Sequence, residues 1–157
     1  MKRMLTDLVQ SATARFRRTG QKEPKDRGRD DDSMRIVVAD IFPEIGISAS
    51  ELIRISAGLV LNSECQDLAK ALLARSTDML VTPMSFDDVQ YIPQQVFIGT
   101  SELGEFWFGY ADYFQSEGIE IEPSLVNMMR LHFADNKETF LVAVDRAIIG
   151  LISLRQL

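Results

Sequence analysis

Cysteine and histidine are nearly absent from this sequence, since Cys65 and His132 are the only ones among its 157 residues. A single cysteine excludes an intramolecular disulfide bond, which fits a reducing compartment such as the cytoplasm. One thiol and one imidazole are also too few for a zinc site of the Cys/His type. We therefore expect neither a metal nor another cofactor.

Long apolar runs and known catalytic motifs are missing as well. No apolar stretch approaches the roughly 18 residues that a membrane-spanning helix needs. The glycine-containing stretch GISAS, residues 46–50, lacks the lysine of a phosphate-binding loop, and no Gly-x-Ser-x-Gly elbow occurs. His132 follows Met128 and Met129 on one predicted helix face, which favours a structural role. These absences predict a protein that is not an enzyme.

Charge is distributed unevenly along the chain. Residues 1–33 contain nine Lys/Arg against six Asp/Glu, whereas residues 34–157 contain eight against 17, which gives net charges of +3 and −9. An acidic domain of this kind repels phosphate backbones, so we expect no nucleic-acid binding by it. It would instead attract a partner with a basic surface.

The first 33 residues differ in composition from the rest. Residues 1–19 have the periodicity of an amphipathic basic helix, and residues 20–33 are charged, poor in apolar side chains and typical of a flexible linker. We expect an acidic globular helical domain over 34–157. The N-terminal arm could contact a membrane surface or a partner through one cluster of side chains. That cluster comprises Arg15, Phe16, Arg17 and Arg18.

Most of the domain has helical periodicity. Ser48 and Glu51 have capping-box spacing before an apolar helix face. A second helical segment either continues this helix as one long helix or follows a break near Asn62–Ser63. Residues 34–42 fit either a buried strand or a short helix. We expect a mainly α fold of about five helices, with a small two-stranded sheet of residues 34–42 and 96–98 as the α+β alternative. The irregular stretch 82–100 is where a functional loop would lie.

Six of the 13 aromatic residues fall within residues 101–114, SELGEFWFGYADYF. On a helix most of them share one face, with Glu105 and Asp112 opposite. A strand would place Asp112 among the aromatic side chains, so we favour the helix. Phe108 then lies on the acidic side, where it is either covered by 82–100 or contacts a partner.

The C-terminal segment shows apolar residues on two sides of a predicted helix. Leu141, Val144, Ile148 and Leu151 follow a helical seam after Asp135 and Glu138, which have capping-box spacing. Val142 and Ile149 lie on the opposite side. Such a helix either crosses the middle of the domain or presents its second side to another chain.

These features predict a small acidic protein-interaction module, an adaptor or secretion-chaperone-like protein. Its partner would be another protein with a basic or apolar surface, or a second copy in a homodimer. The predicted contacts are Phe108, Val142, Ile149, Glu105 and Asp112. One alternative is an immunity-type inhibitor that binds a basic partner through charge. Another is an enzyme that uses carboxylates such as Asp87, Asp88 and Glu105. We expect a cytoplasmic location, with peripheral membrane contact through residues 1–18 as an option.

Overall fold

The computed structural model describes residues 35–157, which form six strands and four helices. The predictions for residues 1–19 and 20–33, including Arg15, Phe16, Arg17 and Arg18, lie outside the described residues. The helices are α1 (Ala49–Val60), α2 (Gln66–Asp78), α3 (Ala111–Ser116) and α4 (Pro123–Ala134). The strands are β1 (Ile36–Pro43), β2 (Asp88–Ile92), β3 (Val96–Ser101), β4 (Gly104–Gly109), β5 (Lys137–Val144) and β6 (Ala147–Gln156).

All six strands form one antiparallel sheet in the order β1-β6-β5-β4-β3-β2. Strands β2 to β6 follow one another as hairpin neighbours, with α3 and α4 between β4 and β5. Strand β1 pairs with the last strand, β6, and so joins the two ends of the domain. The predicted mainly α fold is wrong, because the helices pack on a sheet instead of on one another alone.

Helices cover both faces of this sheet. Strand β4 sends Phe106 and Phe108 into one core with α1 and α2, and Trp107 into a second core with α3 and α4. Strand β5 divides Val142 and Leu141 between the same two cores. A strand buried on both faces loses the alternation of polar and apolar residues that marks a half-exposed strand. For this reason the sequence of β5 and β6 predicts a helix, although both segments are strands.

The predicted C-terminal helix is a β-hairpin. Its turn consists of Asp145 and Arg146, both at positive φ (50° and 72°), as two-residue hairpin turns require. Leu141 and Leu151 are directly opposite each other in the β5–β6 register, so they contact across strands and not along a helix. Asp135 ends α4 instead of capping a new helix.

The aromatic stretch 101–114 contains two elements. Strand β4 ends at Gly109, and α3 begins at Ala111. Asp112 therefore belongs to the helix and does not interrupt the strand. The helical prediction for the whole stretch is wrong because it assumed a single period across this boundary.

Several local predictions are confirmed. Ser48 Oγ accepts the Glu51 amide at 3.1 Å and the Ser48 amide donates to the Glu51 carboxylate at 3.2 Å, which completes the capping box of α1. Residues 34–42 and 96–98 contribute to strands β1 and β3, as the strand options for them predict. The predicted two-stranded sheet of these segments is wrong, because β1 pairs with β6 and β3 pairs with β2 and β4. Among residues 35–157, no helix is long and apolar enough to cross a bilayer.

Candidate functional site: an aromatic cavity at the start of α2

A cavity of about 490 Å³ opens between the first turn of α2 and the β2–β3 turn. Its floor is the sheet face formed by β3, β4 and β5. Sixteen residues line it. They are Ile36, Glu64, Cys65, Gln66, Asp67, Leu68, Tyr91, Pro93, Gln94, Gln95, Val96, Phe97, Phe108, Gly109, Tyr110 and Phe140.

Aromatic rings form much of the cavity wall. Phe108 stacks on Phe140 with a centroid distance of 4.8 Å and an interplanar angle of 15°. Tyr91 stacks on Phe97 at 4.4 Å and 20°. Apolar walls of this kind favour a planar, aromatic ligand, because burying its two faces removes apolar surface from water.

Tyr91 joins the two sides of the cavity mouth. Its hydroxyl oxygen accepts hydrogen bonds from Cys65 Sγ and from the Gln94 amide, both at 3.3 Å. Burial raises the pKa of Tyr91 to about 12, so the phenol is neutral at physiological pH. Gln94 has a positive φ of 65°, which bends the β2–β3 turn toward this hydroxyl.

A buried carboxylate lies behind the wall. Tyr110 donates its hydroxyl hydrogen bond to Glu138 Oε2 at 3.2 Å, and Glu138 is only 3% exposed. The Tyr110 ring is 4.7 Å from the Phe140 ring. This bond fixes the orientation of Tyr110, so this part of the wall is preorganised before a ligand arrives.

The cavity has the composition of a small-molecule site, with apolar walls and a few polar groups at the rim. Within residues 35–157, no group of three or more His, Cys, Asp or Glu side chains could hold a metal ion. The cavity is also not lined by Asp87, Asp88 or Glu105, the carboxylates of the enzyme alternative.

The residues predicted to bind a partner occupy different environments. Phe108 and Val142 are fully buried as neighbours in the β4–β5 register, and Phe108 is part of the cavity wall. Ile149 is half-buried against the same core as Val142. The helical geometry that selected these three residues is wrong, because both segments are strands.

Glu105 and Asp112 lie apart from the cavity and are half-buried. The Glu105 carboxylate accepts a hydrogen bond from Trp107 Nε1 at 3.2 Å, and its amide donates to Asp145 Oδ1 at 3.0 Å. Asp112 lies in the first turn of α3. That Glu105 and Asp112 contact a partner stays a prediction.

Sequence reasoning missed most of the cavity residues. Cys65, Tyr91, Phe97 and Phe140 come from four separate segments. The sheet register brings the three aromatic residues together, and the position of α2 against the sheet adds Cys65. The one useful signal was the irregularity of residues 82–100, the stretch predicted to hold a functional loop, because the β2–β3 turn lies in it.

His132 belongs to a polar cluster away from the cavity. Its Nδ1 is 3.8 Å from Asp40 Oδ2, which also accepts a hydrogen bond from Lys137 Nζ at 2.9 Å. Its ring packs edge-on against Phe42 at 5.3 Å. Burial lowers the pKa of His132, and the hydrogen bond from Lys137 lowers the pKa of Asp40.

We expect the folded chain to lose stability in mild acid. A histidine whose folded pKa is below its unfolded value of 6.5 is protonated first in the unfolded chain, so stability falls as the pH drops below 6.5. Asp40 adds a further loss below 3.8. Urea midpoints measured between about pH 7 and about pH 5 check this. His132→Gln should remove the pH dependence in that window, and a flat wild-type profile would refute the assignment.

No protein-family model matches this sequence, and no curated protein is similar to it. Solved structures, however, share its fold. A zinc-transporting PIB-type ATPase in its E2.Pi state aligns with a TM-score of 0.67 at 16% identity, over 79% of this chain and 19% of that chain. The chain therefore spans about a fifth of that transporter.

Two smaller structures are matched over nearly their whole length. They are the N-domains of HMA6 and HMA8, both copper-transporting P-type ATPases. Each has a TM-score of 0.60 and 15% identity to this chain, which covers 98% and 97% of them. The two alignments include 76% and 74% of this chain.

These likenesses correct the predicted function. The acidic adaptor or secretion-chaperone-like protein rests on an apolar helix face that does not exist, because that segment is a β-hairpin. The immunity-type inhibitor rests on net charge alone, and the fold likenesses do not support it. The sheet and its two helical layers instead share a fold with domains of ATPases. At identities of 15–16%, the comparison establishes the fold, which is that of the N-domain of metal-transporting P-type ATPases.

Proposed function

We propose that this chain is an adenine-nucleotide-binding module that holds its ligand by the base in the aromatic cavity. The observation that carries the proposal is the cavity itself, with stacked rings in its wall and neutral polar side chains at its rim. The fold adds support by analogy, because the HMA6 and HMA8 domains that share it are N-domains of ATPases.

The cavity suits an adenine base for three physical reasons. The lining includes the ring of Tyr91, which is only half-buried and can contact a base, and the buried rings of Phe97 and Phe108 support it from the core. The rim offers the amide groups of Gln66, Gln94 and Gln95, which can both donate to and accept from the edge of a base. Its volume of about 490 Å³ lies within the range of small-molecule sites.

The expected affinity is modest. Adenosine has about 19 non-hydrogen atoms, and at about 0.3 kcal/mol per atom the dissociation constant is about 0.1 mM. Calorimetric titration of the full chain with AMP and with ATP tests the proposal. A saturable heat for at least one of them is expected. No saturable heat for either ligand up to about 5 mM would contradict it.

A substitution at the mouth of the cavity should block binding. Cys65 is half-buried, and its thiol points across the mouth to Tyr91, so the indole of Cys65→Trp should occupy the ligand's volume. We expect AMP affinity to fall at least about tenfold. Asn62→Trp is the matched control, since Asn62 is exposed in the same loop and does not line the cavity. Equal loss in both variants would contradict the assignment.

Other properties stay proposals beside this one. We propose that the chain binds nucleotide without hydrolysing it by itself. We also propose that it works on the cytoplasmic side of a membrane, as a module of a larger assembly. Contact with another protein would then use exposed surface, since Phe108 and Val142 are buried. Sedimentation of the full chain with and without added salt tests self-association.

A further inference from the structure

The charge around the cavity is unusual for a site that would hold a triphosphate. Two of the sixteen lining residues are charged, and both are acidic: Glu64, which is exposed, and Asp67, which is half-buried. No lysine, arginine or histidine of the described residues lines the cavity. Triphosphate sites usually place cations or a metal beside the phosphates, because these offset their charge.

The backbone of the β2–β3 turn offers no compensation. A phosphate-cradling loop presents successive free amides to the ligand. Here Pro93 has no amide hydrogen, the Gln94 amide donates to Tyr91 Oη at 3.3 Å, and the Gln95 amide donates to the Ile92 carbonyl at 3.0 Å. The donors of this turn are therefore already used within the chain.

Two amides at the start of α2 are also used within the chain. The Cys65 amide donates to Ser63 Oγ at 3.2 Å, and the Gln66 amide donates to the Glu64 carbonyl at 2.9 Å. Asp67 places its carboxylate in the first turn, where the positive end of the helix dipole would otherwise attract a phosphate.

Arg35 is next to the lining residue Ile36 in the sequence but is not part of the lining. Phosphates that project from the mouth would therefore meet Glu64 and Asp67 as the charged side chains of the lining.

From these observations we infer that the cavity selects the nucleoside part of its ligand and discriminates against polyphosphate, so that affinity falls from adenosine to AMP to ATP. This inference rests on the proposed function. The ligand class is a purine nucleoside or monophosphate, held by stacking and by neutral hydrogen bonds. Each added phosphate brings negative charge near Glu64 and Asp67 without gaining a cationic partner in the lining.

Calorimetric titration of the full chain with adenosine, AMP and ATP tests the order. At about 0.02 M NaCl we expect adenosine to bind about tenfold more tightly than ATP, and at about 0.3 M NaCl only about threefold, because salt screens the rim. ATP binding as tight as adenosine or tighter would overturn the inference and leave the proposed function standing. Binding of none of the three would overturn both.

A variant without the two cavity carboxylates distinguishes their effect on ATP affinity from the effect of acidic residues elsewhere on the surface. In Glu64→Gln/Asp67→Asn we expect ATP affinity to rise about three- to tenfold at low salt, with adenosine affinity unchanged. Glu120→Gln is the control, because Glu120 is exposed and does not line the cavity. If the double variant leaves the ratio of adenosine to ATP affinity unchanged, the carboxylates do not set the selectivity.

Discussion

Replacing Phe108 by alanine is expected to reduce the free energy of unfolding by about 3–5 kcal/mol, the usual cost of removing a fully buried aromatic side chain. Phe108 is 0% exposed, stacks on Phe140 at 4.8 Å and lies 6.2 Å from the Phe97 ring. Its removal leaves a void in the core between the sheet and the first two helices, which the surrounding strands cannot close by a small shift.

Urea denaturation followed by circular dichroism measures this loss. Leu103→Ala is the control, because Leu103 is a large apolar residue that is 73% exposed, and its change should stay within about 0.5 kcal/mol. The helical interpretation of residues 101–114 allowed Phe108 to lie on the surface as a partner contact. A Phe108→Ala chain as stable as Leu103→Ala would restore that interpretation and contradict the strand.

Replacing Gly58 by alanine is expected to destabilise the chain by about 1–3 kcal/mol, as overpacking does. In an exposed helix the same change would stabilise by about 0.8–1.0 kcal/mol, because alanine is the better helix former. Gly58 lies in α1, and an added Cβ would overlap with the carbonyl oxygen of Met84.

The obstacle at Gly58 is backbone and cannot rotate away. The Met84 amide donates to the Arg54 carbonyl at 2.9 Å, and Arg54 Nε donates to the Thr82 carbonyl at 3.1 Å, so residues 82–84 are held against α1. Lys70→Ala, at an exposed position of α2, is the control and should change stability by less than about 0.5 kcal/mol. A Gly58→Ala chain that is more stable than wild type would show that this segment is not packed there.

The parts of the fold that could be predicted from sequence are those set by neighbouring residues. The capping box of Ser48 and Glu51 involves side chains three positions apart, so its signal is local and strong. The break before α2 and the start of α4 at Pro123 are local in the same way. None of these signals depends on which strand lies beside which.

The sheet could not be predicted because its central strands are covered on both faces. Leu141, Val142 and Ala143 are all fully buried, so β5 shows no alternation of polar and apolar residues. A run of this kind fits helical spacing by chance, as Leu141 and Leu151 did. The C-terminal segment is indeed apolar on two sides, but its β5 part is a strand between two helical layers and not a helix.

The candidate site could not be predicted from the sequence for a different reason. Tyr91 and Cys65 are 26 positions apart, and their contact depends on how β2 and α2 are placed on the sheet. Phe140 joins them only because β5 pairs with β4. The distances between these residues along the sequence do not predict that they meet, whereas the three-dimensional fold shows their contacts directly.

The most direct test of this account is a map of backbone amide shifts as adenosine is titrated into the full chain labelled with ¹⁵N. We predict saturable shifts that concentrate in residues 64–68 and 91–95, the two sides of the cavity mouth, with a smaller response at Gly109 on its floor. Shifts centred instead on Arg54 and Leu103, which line a separate depression of about 560 Å³, would contradict the account, as would the absence of saturable shifts.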